Sequence, residues 1–492
     1  MRYAMNKIVL IFLFTLLPLA QLNAQEQIQL SLEQSIEYAQ TNSPISRSAR
    51  FALVAAKWRF RSFRADLLPT FSANGNVPNY SFNQRAVTLE DGIRFIDIRQ
   101  SNADFDLTID QNIAPTGGSV FVSSGLSRLG IFQNEDQYTW LSRPIELGIR
   151  QPLFQFNALK WRNRTEPLRY EIAKKQFVED MEDVAISVTG AFFDVLIARN
   201  NVEINEFNVT VNDSIYNISK GRFQVGSIAE NDLLESELAY RNSENALTTA
   251  RLSFLRAQET FKALLGLDDA TELEIITPMG APELSIDFDK AYDLAITNNS
   301  QSLLFQLNEI QADQSYEQAK RNAGFSATLQ ASYGLNRTSE EFGNLYEDPT
   351  NRQFFTVGFQ IPIFNWGQNL AEIRAARNQQ RETANTIAYQ KLLFELNVRG
   401  TVREFSQLGD QVEIARIADD IAVRRYDVAK NRYLIDKINV TDLFIAQREK
   451  DSARQGYIQA LRTYWSGYYS LRRLTLYDFE RDLPIVYLED RR

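Results

Sequence analysis

The chain has 492 residues, with 53 Lys and Arg against 62 Asp and Glu, and it contains neither cysteine nor histidine. Without Cys there are no disulfides, thiolate metal sites or lipid-modified N-terminal cysteine; without His the commonest general base and metal ligand are missing. The chain therefore reads as non-enzymatic, with no cofactor and no metal. The acidic balance excludes nucleic acid as a natural partner, and 20 Tyr with 32 Phe exceed what a soluble coiled coil requires.

Arg2 and Lys7 precede the apolar run Ile8 to Leu19, and the small residue Ala24 closes the segment. This pattern predicts a secretory leader over 1–24, with Met5 as an alternative start. The run falls short of the roughly 20 apolar residues a spanning helix needs. Removing the leader leaves 51 basic against 62 acidic residues, a net charge of −11. No later run approaches spanning length, so any membrane contact must be made by strands.

The chain is written twice. Ser31 to Ser43 matches Asp287 to Asn299 without a gap, with Ala39 and Ala295 on the buried face and a Thr-Asn stop in both. At a second offset, Leu147-Gly-Ile-Arg-Gln-Pro-Leu-Phe154 falls on Val357-Gly-Phe-Gln-Ile-Pro-Ile-Phe364. Tyr216, Lys220, Arg222, Ile228, Asp232 and Leu233 likewise fall on Tyr426, Lys430, Arg432, Ile438, Asp442 and Leu443. The offsets are 256 and 210, so the first half carries 46 extra residues between Pro69 and Gly148. The predicted divisions are a leader (1–24), a first repeat (25–284), a second repeat (285–480) and a C-terminal tail (481–492).

Each repeat predicts a leading helix (about 31–66 and 285–323), then strands, then a long helix (about 157–222 and 366–435) and a shorter one (about 228–266 and 440–476). Val184, Val188, Ala191, Val195, Ala198 and Val202 form a 4-3 seam, as in helices packed with coiled-coil geometry. About 65–70 residues at 1.5 Å each give roughly 100 Å, more than a compact soluble bundle uses.

Four strands are expected, Phe71 to Phe82, Ile145 to Pro152, Phe325 to Leu335 and Phe354 to Pro362. Four cannot close a membrane barrel, whose smallest members have eight, and open edges are not tolerated in lipid. Such a chain must oligomerise, and three copies give twelve strands. The insertion carries its own hairpin signal, with Phe105, Leu107 and Ile109 alternating with Asp104, Asp106, Thr108 and Asp110 before Ala114-Pro-Thr-Gly-Gly118. Either this hairpin sits outside the barrel or at its rim, or it adds two crossings and the trimer has eighteen strands. The regular acidic alternation favours the first.

Several motifs then occur in order. They are Leu32-Glu-Gln-Ser-Ile-Glu-Tyr-Ala39 with Asn42-Ser-Pro44, Leu68-Pro69, Gln151-Pro-Leu-Phe154, Lys160-Trp-Arg162, the turn Gly221-Arg-Phe-Gln-Val-Gly-Ser-Ile228, and Ile361-Pro-Ile-Phe-Asn-Trp-Gly367. Together these resemble the TolC-like outer-membrane efflux proteins over essentially the whole chain after the leader. The resemblance implies a mainly α protein with membrane β: a homotrimeric outer-membrane β-barrel on a periplasmic α-helical coiled-coil barrel. It implies a passive duct of a tripartite efflux or type I secretion system. The expected partners are a periplasmic adaptor (membrane fusion) protein, an inner-membrane transporter of RND or ABC type, and outer-membrane lipid. A periplasmic coiled-coil adaptor is the alternative, which the duplicated strand–helix layout disfavours.

The resemblance also assigns residues. Asp232 and Tyr433 match positions that bond across neighbouring helical hairpins and hold the tip shut, and Asp442 matches an acid lining the constriction. A family arginine falls on Ile438 with Lys437 beside it, and a second constriction acid falls on Ile445, so this gate is expected to rely more on packing than on ion pairs. Asp232 and Asp442 also suit helix capping, and Tyr433 also suits a core position. Gly221, Arg222, Val225, Gly226, Leu233, Arg432, Ile435 and Leu443 make up the turns expected to dock the adaptor, and Phe156, Trp161 and Trp366 suit an interfacial aromatic belt.

Overall fold

The computed structural model describes residues 27–89, 92–132, 136–278, 280–435 and 437–487, and the expected leader lies outside them. Strand β1 (Gln27–Leu30) precedes helices α1 (Leu32–Asn42) and α2 (Pro44–Ala65). Four strands follow: β2 (Thr70–Leu89), β3 (Gly92–Ile113), β4 (Gly118–Phe132) and β5 (Asp136–Leu153). Helices α3 (Ala158–Gln224) and α4 (Glu230–Leu265) and strand β6 (Glu272–Ile275) complete the first pass. The second pass runs α5 (Phe288–Asn298), α6 (Ser300–Asn322), β7 (Ser326–Ser339), β8 (Thr350–Gln360), α7 (Gln368–Leu434) and α8 (Val440–Thr475). The duplication is visible in the lengths: α3 and α7 both have 67 residues, and α4 and α8 both have 36.

Each leading helix is two helices rather than the single one expected. Ser31 starts α1 with a capping box shared with Gln34, and Asp287 caps α5 by accepting from the Lys290 amide at 2.8 Å. Pro44 then disfavours a helical Ser43, whose ψ is 143°, and the chain breaks there. In the second pass Asn299 takes an extended conformation and accepts from the Gln301 amide at 2.9 Å, so the Thr-Asn stop is also the start of the next helix. Two α3 side chains hold this break. Lys175 donates to the Thr297 and Asn298 carbonyls that end α5, and Glu179 accepts from the Ser300 amide that begins α6 at 2.7 Å. A cation at one helix's C-terminus and an anion at the next one's N-terminus both suit the helix dipoles.

The chain forms two compact units. One comprises Met1–Pro44, Ser187–Gly280 and Ala418–Gln459. Its core includes Phe192, Phe193, Phe261 and Leu265, and β1 pairs with β6 in parallel, a four-residue ladder too short to be read from sequence periodicity. Gly266 adopts φ +78° to end α4 and lies against the Asn42 carbonyl, where a Cβ would collide.

The other unit comprises Ile45–Ile186, Ala281–Ile417 and Ala460–Arg492. Its helices bury Tyr464, Tyr468, Phe405 and Leu408, and Gly467 lets Leu408 approach the backbone. Its sheet has six strands in the order β2-β3-β4-β5-β7-β8, with every neighbouring pair antiparallel. The four-strand expectation is thus corrected: the extra hairpin is built into the middle of the sheet. The reason lies in the acidic alternation itself. Residues directly opposite in a ladder share a face, and the registers place Phe71, Ile109, Val122 and Leu147 on one face, continuing through Tyr333 on β7. The other face carries Asn74, Asp106, Thr108, Ser123, Glu146, Arg150, Gln330 and Arg352. The aspartates of β3 therefore continue the polar face of their neighbours. A bulge between Ser142 and Glu146 contains Pro144, whose missing N–H suits a break in the ladder.

Candidate functional site

The turns expected to form a gate lie in the first unit, and they are built alike. After α3 the amide of Ser227 donates to the Arg222 carbonyl at 2.9 Å, with Gly226 at φ +73°. After α7 the amide of Lys437 donates to the Arg432 carbonyl, also at 2.9 Å. These are six-residue closures that satisfy the last carbonyls of each long helix. Neither Asp232 nor Asp442 caps the helix that follows. Ala229 begins α4 with no side-chain bond, and Asn439 begins α8, its carboxamide oxygen accepting from the Asp442 amide at 2.7 Å. Both aspartates sit in the first turn, where the dipole favours a negative charge.

Tyr433 is buried among Ile215, Tyr426, Val440, Leu443 and Phe444, with Ile438 packed against the same cluster. Its hydroxyl lies 3.4 Å from Ser219 Oγ, and the Arg222 guanidinium stands over its ring at 5.1 Å while donating to its carbonyl at 3.4 Å. Tyr433 on α7 therefore ties to α3, the other hairpin of the same chain. Among the described residues no hydrogen bond or ion pair joins Asp232, Tyr433 and Asp442: Asp232 is half-buried, and Asp442 and Lys437 are exposed. Of the expected docking residues, Gly221, Val225, Gly226, Arg432 and Ile435 are exposed, and Arg222 and Leu233 are half-buried. Leu443 is 1% exposed and belongs to the core, because the first turn of α8 turns that face inward.

Sequence reasoning missed a polar layer beneath these turns. Asn201, Asn205, Asn208 and Asn212 repeat at 4-3-4 spacing on α3, and three of them reach other helices. Asn201 accepts from Gln455 at 2.8 Å, Asn208 accepts from Gln447 at 2.6 Å and donates to Asp451 at 2.8 Å, and Asn212 donates to the Ala239 carbonyl at 3.4 Å. Lys450 lies over the rings of Phe207 and Tyr426 at 4.1 and 4.5 Å. Burial, with Asp451 and Asp427 nearby, pushes the Tyr426 hydroxyl up to about 12. Thr441 bonds the Glu235 carboxylate at 3.0 and 3.1 Å, a further tie between hairpins. The asparagine spacing was the available signal.

The second surface with functional character is the sheet. On its polar face Arg143 pairs with Asp106, Ser332 donates to Glu146 at 2.6 Å, and Arg352 stands 3.8 Å from Glu146, around a cleft of about 450 Å³. Phe121 lies over Gly148, which has no room for a side chain. At the sheet's helix-side end, Phe154 packs on Phe325 at 5.6 Å and Phe364 on Trp366 at 4.7 Å, and Trp366 is 90% exposed. Of the expected belt, Phe156 and Trp161 are half-buried and Trp161 stacks with Arg164, so Phe154 and Phe364 present more surface than Phe156.

An antiparallel sheet with one apolar and one polar face, carried with two copies of a long helical hairpin, is the architecture of a channel protein. The sequence model of the outer membrane efflux protein family matches residues 123–267 and 292–475, reaching both repeats. The chain belongs to that family. No curated protein sequence matches it. Among solved structures it is similar to the CmeC outer membrane channel of Campylobacter jejuni, with a TM-score of 0.64, 14% identity, and 92% of this chain and 88% of that one covered. It is also similar to the outer membrane protein VceC of Vibrio cholerae (TM-score 0.63, 14% identity, 90% and 95% covered). The open state of the Neisseria gonorrhoeae MtrE channel gives a TM-score of 0.54 at 16% identity, with 90% and 88% covered. At these identities the likeness is one of fold. Family membership sets the coiled-coil adaptor alternative aside.

Proposed function

We propose that three copies of this chain form a passive exit duct in the outer membrane, serving a tripartite efflux or type I secretion system. The observation that carries the reading is the two-faced sheet with open edges at β2 and β8, which suits lipid on one side and a water-filled lumen on the other. Exposed Val225, Gly226, Arg432 and Ile435 present the docking surface for a periplasmic adaptor, which links the duct to an inner-membrane transporter. The turns act as the gate. It is held by the apolar cluster around Tyr433 and by the Ser219, Arg222 and Glu235 bonds, with Asp232 and Asp442 as charges at the mouth.

Membrane extraction followed by a denaturing gel tests the assembly. An oligomer band in unboiled sample that collapses to monomer on boiling is expected, and a soluble protein running only as monomer would overturn the reading. For the gate, the double variant Asp232→Ala with Tyr433→Phe is expected to raise single-channel conductance in a planar bilayer. Unchanged conductance removes the two residues from the gate.

A further inference from the structure

We infer that β3 and β4 are wall strands of the membrane barrel, so that three copies close into eighteen strands, β2 of each pairing with β8 of the next copy. The inference rests on the membrane-duct reading above and adds the size and lining of the duct.

Four observations carry it. First, the ladder runs through the inserted hairpin: β2 pairs with β3 from Thr70 to Leu89, with one irregularity between Asn76 and Asn79, and Gln100 to Ile113 of β3 pair with Gly118 to Ile131 of β4, so the hairpin is bonded to the sheet on both sides. Second, the apolar face carries on across the inserted strands, with Gln111 opposite Val120 and Ser124 opposite Leu107 as the polar residues on it there. Phe105, Leu107 and Ile109 on β3 and Val120 and Val122 on β4 fall between Phe71 and Ala73 on β2 and Leu147 and Ile149 on β5. An external hairpin has no reason to continue that band. Third, the β3 acids bond across the opposite face. Asn76 donates to Asp104 at 3.1 Å, and Arg143 of β5 reaches over β4 to Asp106. Fourth, β2 leaves the helices and β8 returns to them, so the two edges run in opposite directions and neighbouring copies meet in the antiparallel pattern of the rest of the sheet. Phe71 and Ala73 on one edge then continue the apolar band of Phe355, Val357 and Phe359 on the other.

Barrel diameter grows roughly linearly with strand number, so eighteen strands give a lumen about 1.5 times as wide as twelve, in the range that leaves an aqueous channel. Its lining is strongly charged. Each copy contributes Asp104, Asp106 and Asp110 from β3, Arg143, Glu146 and Arg150 from β5, and Arg352 from β8. The strands β2 and β3, of 20 and 22 residues, exceed the 9–11 or so that a tilted crossing requires, so their hairpin rises beyond the bilayer.

The absence of cysteine makes the test direct. Single cysteines at Ile109, Val122 and Val357, and at their polar-face neighbours Thr108, Ser123 and Thr356, are labelled with an environment-sensitive fluorophore. The full-length protein is then placed in vesicles whose phosphatidylcholine carries brominated acyl chains. Loss of most of the fluorescence at all three apolar positions, with little loss at their neighbours, is expected. Quenching at Val357 but not at Ile109 and Val122 overturns the eighteen-strand barrel and leaves the membrane duct standing; no quenching at any position overturns both. Electron cryomicroscopy of the unlabelled oligomer provides a readout free of substitution, where eighteen strands support the inference and twelve overturn it.

Discussion

Arg472 on α8 holds the most buried charge cluster of the second unit. Its guanidinium donates to both Glu182 oxygens at 3.1 Å and to Asp478 at 3.0 Å, and Tyr468 donates to the other Asp478 oxygen at 2.8 Å. Burial raises the Glu182 carboxyl against the pull of Arg472. Burial also works to raise Asp478, but the Arg481 amide, the Tyr468 hydroxyl and Arg472 overcome it and leave that carboxyl lowered. Removing the cation strands two carboxylates, so Arg472→Met is expected to destabilise the unit by about 3–5 kcal/mol, read as a lowered melting temperature. Glu179 gives a pH dependence. Burial raises its carboxyl despite the Ser300 bonds, so the folded chain binds that proton more tightly than the unfolded one. The resulting stabilisation is full below the ordinary glutamate value and is lost as pH rises through the raised one. The melting temperature of the wild type should therefore fall relative to Glu179→Gln as pH rises through that window. Parallel curves would show that the carboxyl is not shifted.

At the scale of elements, the duplicated turns separate the residue that caps a helix from the one that only lies in its first turn. Asn439 caps α8 and Asp442 does not, so Asn439→Ala is expected to cost about 1 kcal/mol. Asp442→Asn, which removes only a charge–dipole contribution, should cost less than about 1 kcal/mol in thermal unfolding. The opposite ranking would return the capping role to Asp442. The asparagine stripe of α3 replaces part of an apolar seam with directional bonds. Such layers fix which helices pair and in what register, and they hold less tightly than an apolar core. That property fits the gating proposed above for these hairpins. The order of the long and short helices and their near-equal lengths were legible in the sequence because the 4-3 seam of α3 and the fixed offset between the repeats point to the same layout. The break at Asn299 was not, since a Thr-Asn pair reads as a stop, and the Asn299 cap on Gln301 and the Glu179 bond to Ser300 show that a second helix begins there.

For the whole molecule, the sheet decides how the protein is completed. Its open edges, its apolar band and the antiparallel sense of β2 and β8 all point to closure by further copies of the chain. An oligomer that resists detergent until boiled and an eighteen-strand barrel are the two outcomes expected at this scale.

The sequence by itself determined the duplication, the near-equal helix pairs, the outer-membrane family and the positions of the two turns. Each of these is written in local periodicity or in motifs held at a fixed offset. It did not determine whether the strand carrying Asp104, Asp106 and Asp110 stands apart as a hairpin or joins the sheet, because alternation states that a strand has two faces without saying what it pairs with. Nor could it distinguish Asp442 from Asn439 as a cap, or a surface Leu443 from a buried one, since a shift of three residues along a helix start changes every role. Those choices belong to tertiary structure: register across six strands and packing among four helices bring together residues hundreds of positions apart, and no local pattern records which of them meet.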